Sequence, residues 1–95
     1  MIVENITDLI GNTPILKIPS RIHGLKNIEL YAKLEMMNPF GSVKDRIAWG
    51  MIKDDIEDIK KTGKTIFENS SGNTAKALQA IAAMHGLNTK LVTYL

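Results

Sequence analysis

The sequence predicts an α/β fold containing a parallel βαβ segment with flanking helices. Two observations carry this. From residue 64 onward, Thr65-Ile66-Phe67 reads as a short buried strand, residues 74–85 as an alanine-rich helix and residues 90–95, KLVTYL, as a further strand. Strand, helix and strand in that order is the rhythm of a parallel sheet with helices packed on it. Upstream, IELYAKL at 28–34 places Ile28, Leu30, Ala32 and Leu34 at period two, a strand signal, and is followed by a helical period from residue 42.

Each element has a local reason. Residues 5–10 carry a weak helical pattern, Ile6, Leu9 and Ile10 on one side, which Gly11-Asn12 and Pro14 stop. ILKI at 15–18 alternates apolar with basic before Pro19 and predicts a short edge strand. After the Asn-Pro-Phe-Gly-Ser turn at 38–42, Ser42 with Asp45 three residues on forms a weak capping box. An apolar stripe through Ile47, Met51, Ile52, Ile56 and Ile59 then predicts one helix ending near Lys60-Lys61, before Gly63. In the alanine-rich helix Leu78, Ile81 and Ala82 point inward, and Gly86 is the C-terminal stop.

The chain has 95 residues, 44% of them hydrophobic, which is enough for one small globular domain. Within it, residues 1–38 read as an N-terminal segment with short strands. Residues 39–95 read as a partial α/β domain. Two or three short strands cannot give a parallel sheet neighbours on both sides and cover on both faces, and the sequence stops inside its last predicted strand. We therefore expect the chain to be part of a larger α/β protein.

Composition excludes several function classes. Twelve basic and ten acidic residues are scattered to a net charge of +2, with no basic stripe of the kind that tracks phosphate backbones, so nucleic acid is not an expected partner. No cysteine is present, which removes disulfides, thiolate metal sites and cysteine nucleophiles. His23 and His85 lie far apart, so no metal site is expected. No run is long enough to span a bilayer and MIVENITDLIG is not a secretory signal. No membrane partner is expected, and the protein reads as cytoplasmic.

Two stretches can carry chemistry. In NPFGSVKDRIAWG, residues 38–50, Lys44 stands just inside a helix start, and counting three, four and seven residues on gives Ile47, Ala48 and Met51. A lysine on that apolar face is either snorkelling or buried. The helix macrodipole and burial would both favour the free amine, which attacks a carbonyl where an ammonium cannot. Alternatively Lys44 pairs with Asp45 or another carboxylate, Asp45 simply suits a first turn, and Arg46 is exposed or ion-paired. Both readings stand on position alone.

The second stretch is FENSSGNTAKAL, residues 67–78, where a strand runs through Ser70, Ser71, Gly72, Asn73 and Thr74 into a helix. Hydroxyls, a carboxamide and free amides at a helix N-terminus make a seat for a carboxylate or phosphate, at the sheet edge where ligands collect. An ordinary capped turn has the same composition. KKTGKT at 60–65 is not a P-loop, because the first glycine of that motif would fall on Asp58. The five methionines and Trp49 form no stripe and are expected in the core or partly buried.

Taken together, IGNTPILKI at 10–18, KLEMMNPFGSVKDRIA at 33–48 and ENSSGNTAKAL at 68–78 resemble the cysteine synthase and cystathionine β-synthase family. The motifs stand in the family's order and span nearly the whole chain. The resemblance implies an N-terminal segment of a fold type II enzyme that uses pyridoxal 5′-phosphate. It implies that Lys44 forms the Schiff base with the cofactor and later removes the substrate's α-proton. Ser70, Ser71, Gly72, Asn73 and Thr74 would receive the substrate carboxylate, with Asn73 also bonding the cofactor's 3′-hydroxyl. The implied reaction is β-replacement on a serine derivative, such as an O-acetylserine-type substrate with sulfide giving cysteine, by a homodimer acting on a small amino acid.

Three positions depart from the family pattern. Phe40 stands where a smaller residue is common and would narrow the site or simply pack. Ala75 replaces a glycine, and Ser70 a threonine. The family's glycine-rich phosphate loop has no counterpart in these residues, so the segment alone is expected to hold the cofactor poorly. The rival readings are a truncated, non-catalytic product and a small anion-binding module built on the SSGNT turn.

Overall fold

The computed structural model describes residues 1–70 and 72–92. Strand β1, Ile15–Ile18, pairs antiparallel with β2, Leu30–Lys33, in the register Ile15 to Lys33 through Ile18 to Leu30. The edge strand expected at 15–18 is present, and the one expected over 28–34 is shorter by two residues at its start and one at its end. A single helical turn, α1, Ser20–His23, lies between them and ends where Gly24 takes a φ of 69°. The weak helical pattern near the N-terminus forms a 3-10 turn, Ile6–Leu9.

The single long helix expected from residue 42 is in fact two, α2, Lys44–Ile52, and α3, Ile56–Thr62. The break falls at Lys53, Asp54 and Asp55, and its cause is local. Aspartate is a poor helix-interior residue that favours helix starts, and Asp55 stands at the N-cap of α3. The buried face also differs from the expected stripe: Ala48, Ile52 and Ile56 are buried, whereas Ile47 and Met51 are nearly half exposed.

Strand β3, Thr65–Asn69, and strand β4, Asn88–Val92, pair in parallel, joined by helix α4, Asn73–Met84. The expected βαβ unit is present. The expectation that the strand at 65–67 is buried is corrected: exposure alternates along it and Phe67 is 63% exposed. Among the described residues β3 has only β4 as a neighbour. Residues 93–95 of the predicted last strand lie outside the described residues.

Packing explains how α2 and α4 meet. Ala48 and Ala77 are completely buried and present little bulk, so the helices approach closely around Ile52, Leu78 and Ile81. Burying Leu78 and Ile81 is worth about 1.5–3 kcal/mol each. Leu78, Ile81 and Ala82 face inward as expected, and Gly86, at a φ of 69°, follows the helix end. Trp49 lies against this core and stacks on His85, ring centroids 5.8 Å apart. The methionines do not: Met1, Met36, Met37, Met51 and Met84 are all exposed, which corrects their expected place in the core.

The radius of gyration is 17.1 Å, against about 12 Å for a compact domain of this length. On the β1–β2 pair Ile15, Leu16 and Tyr31 are at least half exposed. Among the described residues no helix is long and apolar enough to cross a membrane.

Candidate active site

The lysine loop is built from a β-turn. Asn38 accepts the Gly41 N–H on its carbonyl at 2.9 Å, closing Asn38-Pro39-Phe40-Gly41, and Gly41 takes a φ of 94° that other residues rarely adopt. Val43 is the N-cap of α2 and Lys44 its first residue. The capping box expected from Ser42 and Asp45 does not form in its usual pattern. Ser42 Oγ accepts the Lys44 N–H at 3.1 Å, while Asp45 reaches back to accept the Phe40 N–H at 2.6 Å.

Lys44 is exposed, which rules out the buried reading of this lysine. Its expected pairing with Asp45 is also absent, because Asp45 turns into the protein and is completely buried. Among the described residues no carboxylate pairs with the Lys44 amine. Arg46 is the ion-paired residue, with Nε 2.8 Å from Glu35 Oε2. That guanidinium holds the Glu35 carboxyl down to about 2, with bonds from Asn38 and Thr13 acting in the same direction.

The strand-to-helix turn at 70–74 lies at the N-terminus of α4. Ser70 is half-buried and its Oγ accepts the N–H groups of Gly72, at 3.4 Å, and Ala75, at 3.3 Å. Its hydroxyl proton stays available to a ligand. Gly72 and Asn73 are exposed and Thr74 is half-buried, while Ser71 lies outside the described residues. Among the described residues no acceptor takes the N–H of Asn73 or Thr74, the free donors that a helix start leaves for an anion.

The two stretches are brought together by the α2–α4 packing. A Cβ built at Gly41 would lie 3.7 Å from Lys76 Nζ, so the tip of the Lys76 side chain, which starts in the first turn of α4, reaches back to the lysine loop. Phe40 packs against the α2–α4 core. Ala75 is buried, so the methyl at this departure is taken up by packing. A separate small cleft of about 70 Å³, lined by Thr7, Met84 and His85 among others, lies at the far end of α4.

These residues fit a carbonyl-bearing cofactor and a carboxylate substrate on two observations. Among the described residues the exposed Lys44 amine has no counter-ion, and the Asn73 and Thr74 amides at the start of α4 have no acceptor. Four residues that shape this site lie in the quoted motifs but carry no site role on sequence alone: Gly11, Thr13, Glu35 and Asn38. Glu35 and Asn38 sit in a 3-10 turn and its cap, where no periodicity marks them, and the Asn before Pro39 was the only local signal.

A family model described as pyridoxal-phosphate dependent enzyme matches residues 6–94. The chain belongs to this family. Membership agrees with the resemblance read from the lysine loop and the SSGNT turn, and it makes pyridoxal phosphate the family's cofactor. Among relatives of this family member, an O-acetylserine dependent cystathionine beta-synthase of Bacillus subtilis is 42% identical over 87 residues, covering 90% of this chain and 28% of that protein. A cysteine synthase of Helicobacter pylori is 42% identical over 94 residues, covering 97% of this chain and 31% of that protein. The crystal structure of O-acetylserine dependent cystathionine beta-synthase from Helicobacter pylori superposes with a TM-score of 0.81 at 39% identity, over 98% of this chain and 31% of that one. The chain thus spans less than a third of the length of these relatives.

Proposed function

We propose that this chain contributes the lysine-bearing segment of a pyridoxal-phosphate-dependent β-replacement enzyme of the cysteine synthase type. In this reading Lys44 holds the cofactor, and Ser70, Ser71, Gly72, Asn73 and Thr74 hold the substrate carboxylate. The observation that carries it is the exposed Lys44 amine, which has no carboxylate partner among the described residues, on a loop that the Lys76 side chain from the first turn of α4 reaches. The names of the relatives support an O-acetylserine-type substrate, with sulfide or a thiol as the incoming nucleophile.

When bound, pyridoxal phosphate supplies an electron sink for negative charge at the substrate's α-carbon. The rest falls to the protein. The amides of Asn73 and Thr74 and the dipole of α4 attract the carboxylate and fix which way the amino acid lies. The Ser70 hydroxyl donates its one proton to the same group. Asn73, exposed at the first position of α4, offers its carboxamide to the cofactor's hydroxyl. Lys44 is the base that takes the α-proton, and it can return that proton at the end of the cycle.

The product of this scheme is a replaced β-substituent, a transferase outcome when acetate leaves and sulfide enters, and a lyase outcome when nothing adds. A cytoplasmic homodimer acting on a small amino acid fits this reading by analogy with the family. The test is to incubate the full-length protein with pyridoxal phosphate, reduce with borohydride and map the labelled peptide. We expect label on Lys44, and label on any other lysine overturns the assignment.

A further inference from the structure

We infer that Asn38 and Asp45 are the positioning residues of the lysine loop, two buried side chains that together fix where the backbone presents Lys44. This rests on the reading of Lys44 given above and goes beyond it, because neither side chain touches the substrate or the cofactor in that scheme.

The loop from 38 to 45 has no strand partner, so something other than a ladder must set its path. Asn38 is 4% exposed and uses its whole carboxamide. Its Oδ1 accepts the Gly11 N–H at 2.8 Å, which ties the loop to the N-terminal turn. The two protons on its Nδ2 serve three acceptors, the Glu35 carbonyl at 3.0 Å, Glu35 Oε2 at 2.8 Å and the Ser42 carbonyl at 3.0 Å, so one proton is shared. The last of these bonds lies two residues before Lys44.

Asp45 fixes the other side. Its side chain is completely buried, and Oδ2 accepts the Phe40 N–H at 2.6 Å. The second oxygen, Oδ1, has no partner among the described residues. A carboxylate in such a place is costly, and packing alone would be better served by an apolar residue. What the carboxylate achieves is closure: backbone from Phe40 to Asp45 forms a ring through the side chain.

Closure has a directional result. Successive residues on an α-helix point about 100° apart, so driving Asp45 inward turns its neighbour Lys44 to the flank of the buried face, where it is exposed. Asn38 fixes the loop's start and the Ser42 carbonyl, Asp45 fixes its middle, and Lys44 stands on the outer side of both. If either tie is lost, the amine keeps its chemistry but not its place relative to the first turn of α4, and misplacement of a reacting group is expensive in rate.

The experiment uses the full-length protein with Asp45→Ala, Asp45→Asn, Asn38→Ala and Asn38→Asp. Two readouts are taken beside circular dichroism: the fraction of pyridoxal phosphate fixed on Lys44 by borohydride, and, without cofactor, the acylation rate of each lysine by a small activated ester. We expect Asp45→Ala and Asn38→Ala to lower the fixed fraction about tenfold, the factor that corresponds to one lost hydrogen bond. In the same samples the Lys44 acylation rate should change while those of Lys60 and Lys61, exposed on α3, hold. Asp45→Asn keeps an acceptor for the Phe40 N–H and should rescue the fixed fraction. Asn38→Asp keeps the acceptor for Gly11 and loses the donor to Ser42, so it should behave like Asn38→Ala even if the alanine variant does not fold. An unchanged fixed fraction in folded Asn38→Asp, or all lysines shifting together, overturns the inference while Lys44 labelling in the parent leaves its role standing. Label elsewhere in the parent overturns both.

Discussion

Arg46 grips Glu35 with two parallel hydrogen bonds, Nε to Oε2 at 2.8 Å and Nη2 to Oε1 at 2.9 Å. The same Nη2 donates to the Gly11 carbonyl at 3.0 Å. One guanidinium therefore joins α2, the 3-10 turn at Glu35–Met37 and the N-terminal turn, and it does so two residues after Lys44. Only a planar fork can serve both carboxylate oxygens at once.

That pair makes stability depend on acid. The Arg46 guanidinium lowers the Glu35 carboxyl from 4.5 to about 2. A group depressed in the folded state stabilises the fold fully above its ordinary value and loses that contribution as the pH falls through the depressed one. The thermal midpoint of the parent should thus fall between pH 4.5 and about 2 more steeply than that of Glu35→Gln, which has no proton to gain. Parallel curves for the two proteins would refute the link. Arg46→Lys should lie between them, because an ammonium keeps the charge and loses the fork.

Gly11 is the second test of the same junction. It holds a φ of 84°, and a Cβ there would come within 2.7 Å of Arg46 Nη1. The guanidinium cannot swing clear without losing Glu35. Gly11→Ala should cost about 1–3 kcal/mol in urea unfolding, from backbone strain with the displaced arginine added. Placed on an Arg46→Ala background the same change should cost less, since the clash is gone and the strain remains. Equal costs on both backgrounds would show that Arg46 is not held where the structure has it.

The α2–α4 contact predicts a contrast between two apolar residues. Ile81 is completely buried, whereas Met51 is 46% exposed although the hydrophobic spacing placed it on the inner stripe. Ile81→Ala should lower stability by about 2–5 kcal/mol, through lost transfer energy and the cavity left behind. Met51→Ala should stay within about 0.5 kcal/mol, as surface substitutions do. Denaturant midpoints decide the matter, and a similar loss at both positions would restore the stripe read from sequence.

The same contrast indicates what was legible without coordinates. The parallel unit from 65 to 92 was readable because its helix is alanine-rich with a plain apolar period and its strands are bounded by turn residues. The lysine loop and the SSGNT turn were readable because a few residue types at helix starts have few uses. The break at Asp54-Asp55 was not, since apolar period alone carries a helix across it, and only a residue's preference for helix starts argues otherwise. Nor was the inward turn of Asp45: a first-turn aspartate satisfies the helix dipole at the surface equally well, and its burial depends on a Phe40 amide that must first be placed by Asn38. Site residues held by long-range bonds, Gly11 to Asn38 or Arg46 to Glu35, leave no mark on local spacing.

Ser70 offers the last prediction, because its hydroxyl has two duties that one substitution separates. As an acceptor it holds the N–H groups of Gly72 and Ala75, the work of a helix cap. As a donor it is proposed to meet the substrate carboxylate. Ser70→Ala removes both and should cost about 1 kcal/mol of stability, the usual loss of a cap. Ser70→Thr keeps the hydroxyl, so its stability and its substrate affinity should both stay near the parent's. Ser70→Asp keeps acceptors for the two amides but brings a negative charge against the carboxylate, so it should hold stability while weakening substrate binding. Binding of O-acetylserine, followed by the cofactor's absorption in the full-length protein, reads the second duty, and chemical denaturation reads the first. If Ser70→Asp binds as the parent does, Ser70 is a cap and nothing more, and the carboxylate is held by the Asn73 and Thr74 amides without it.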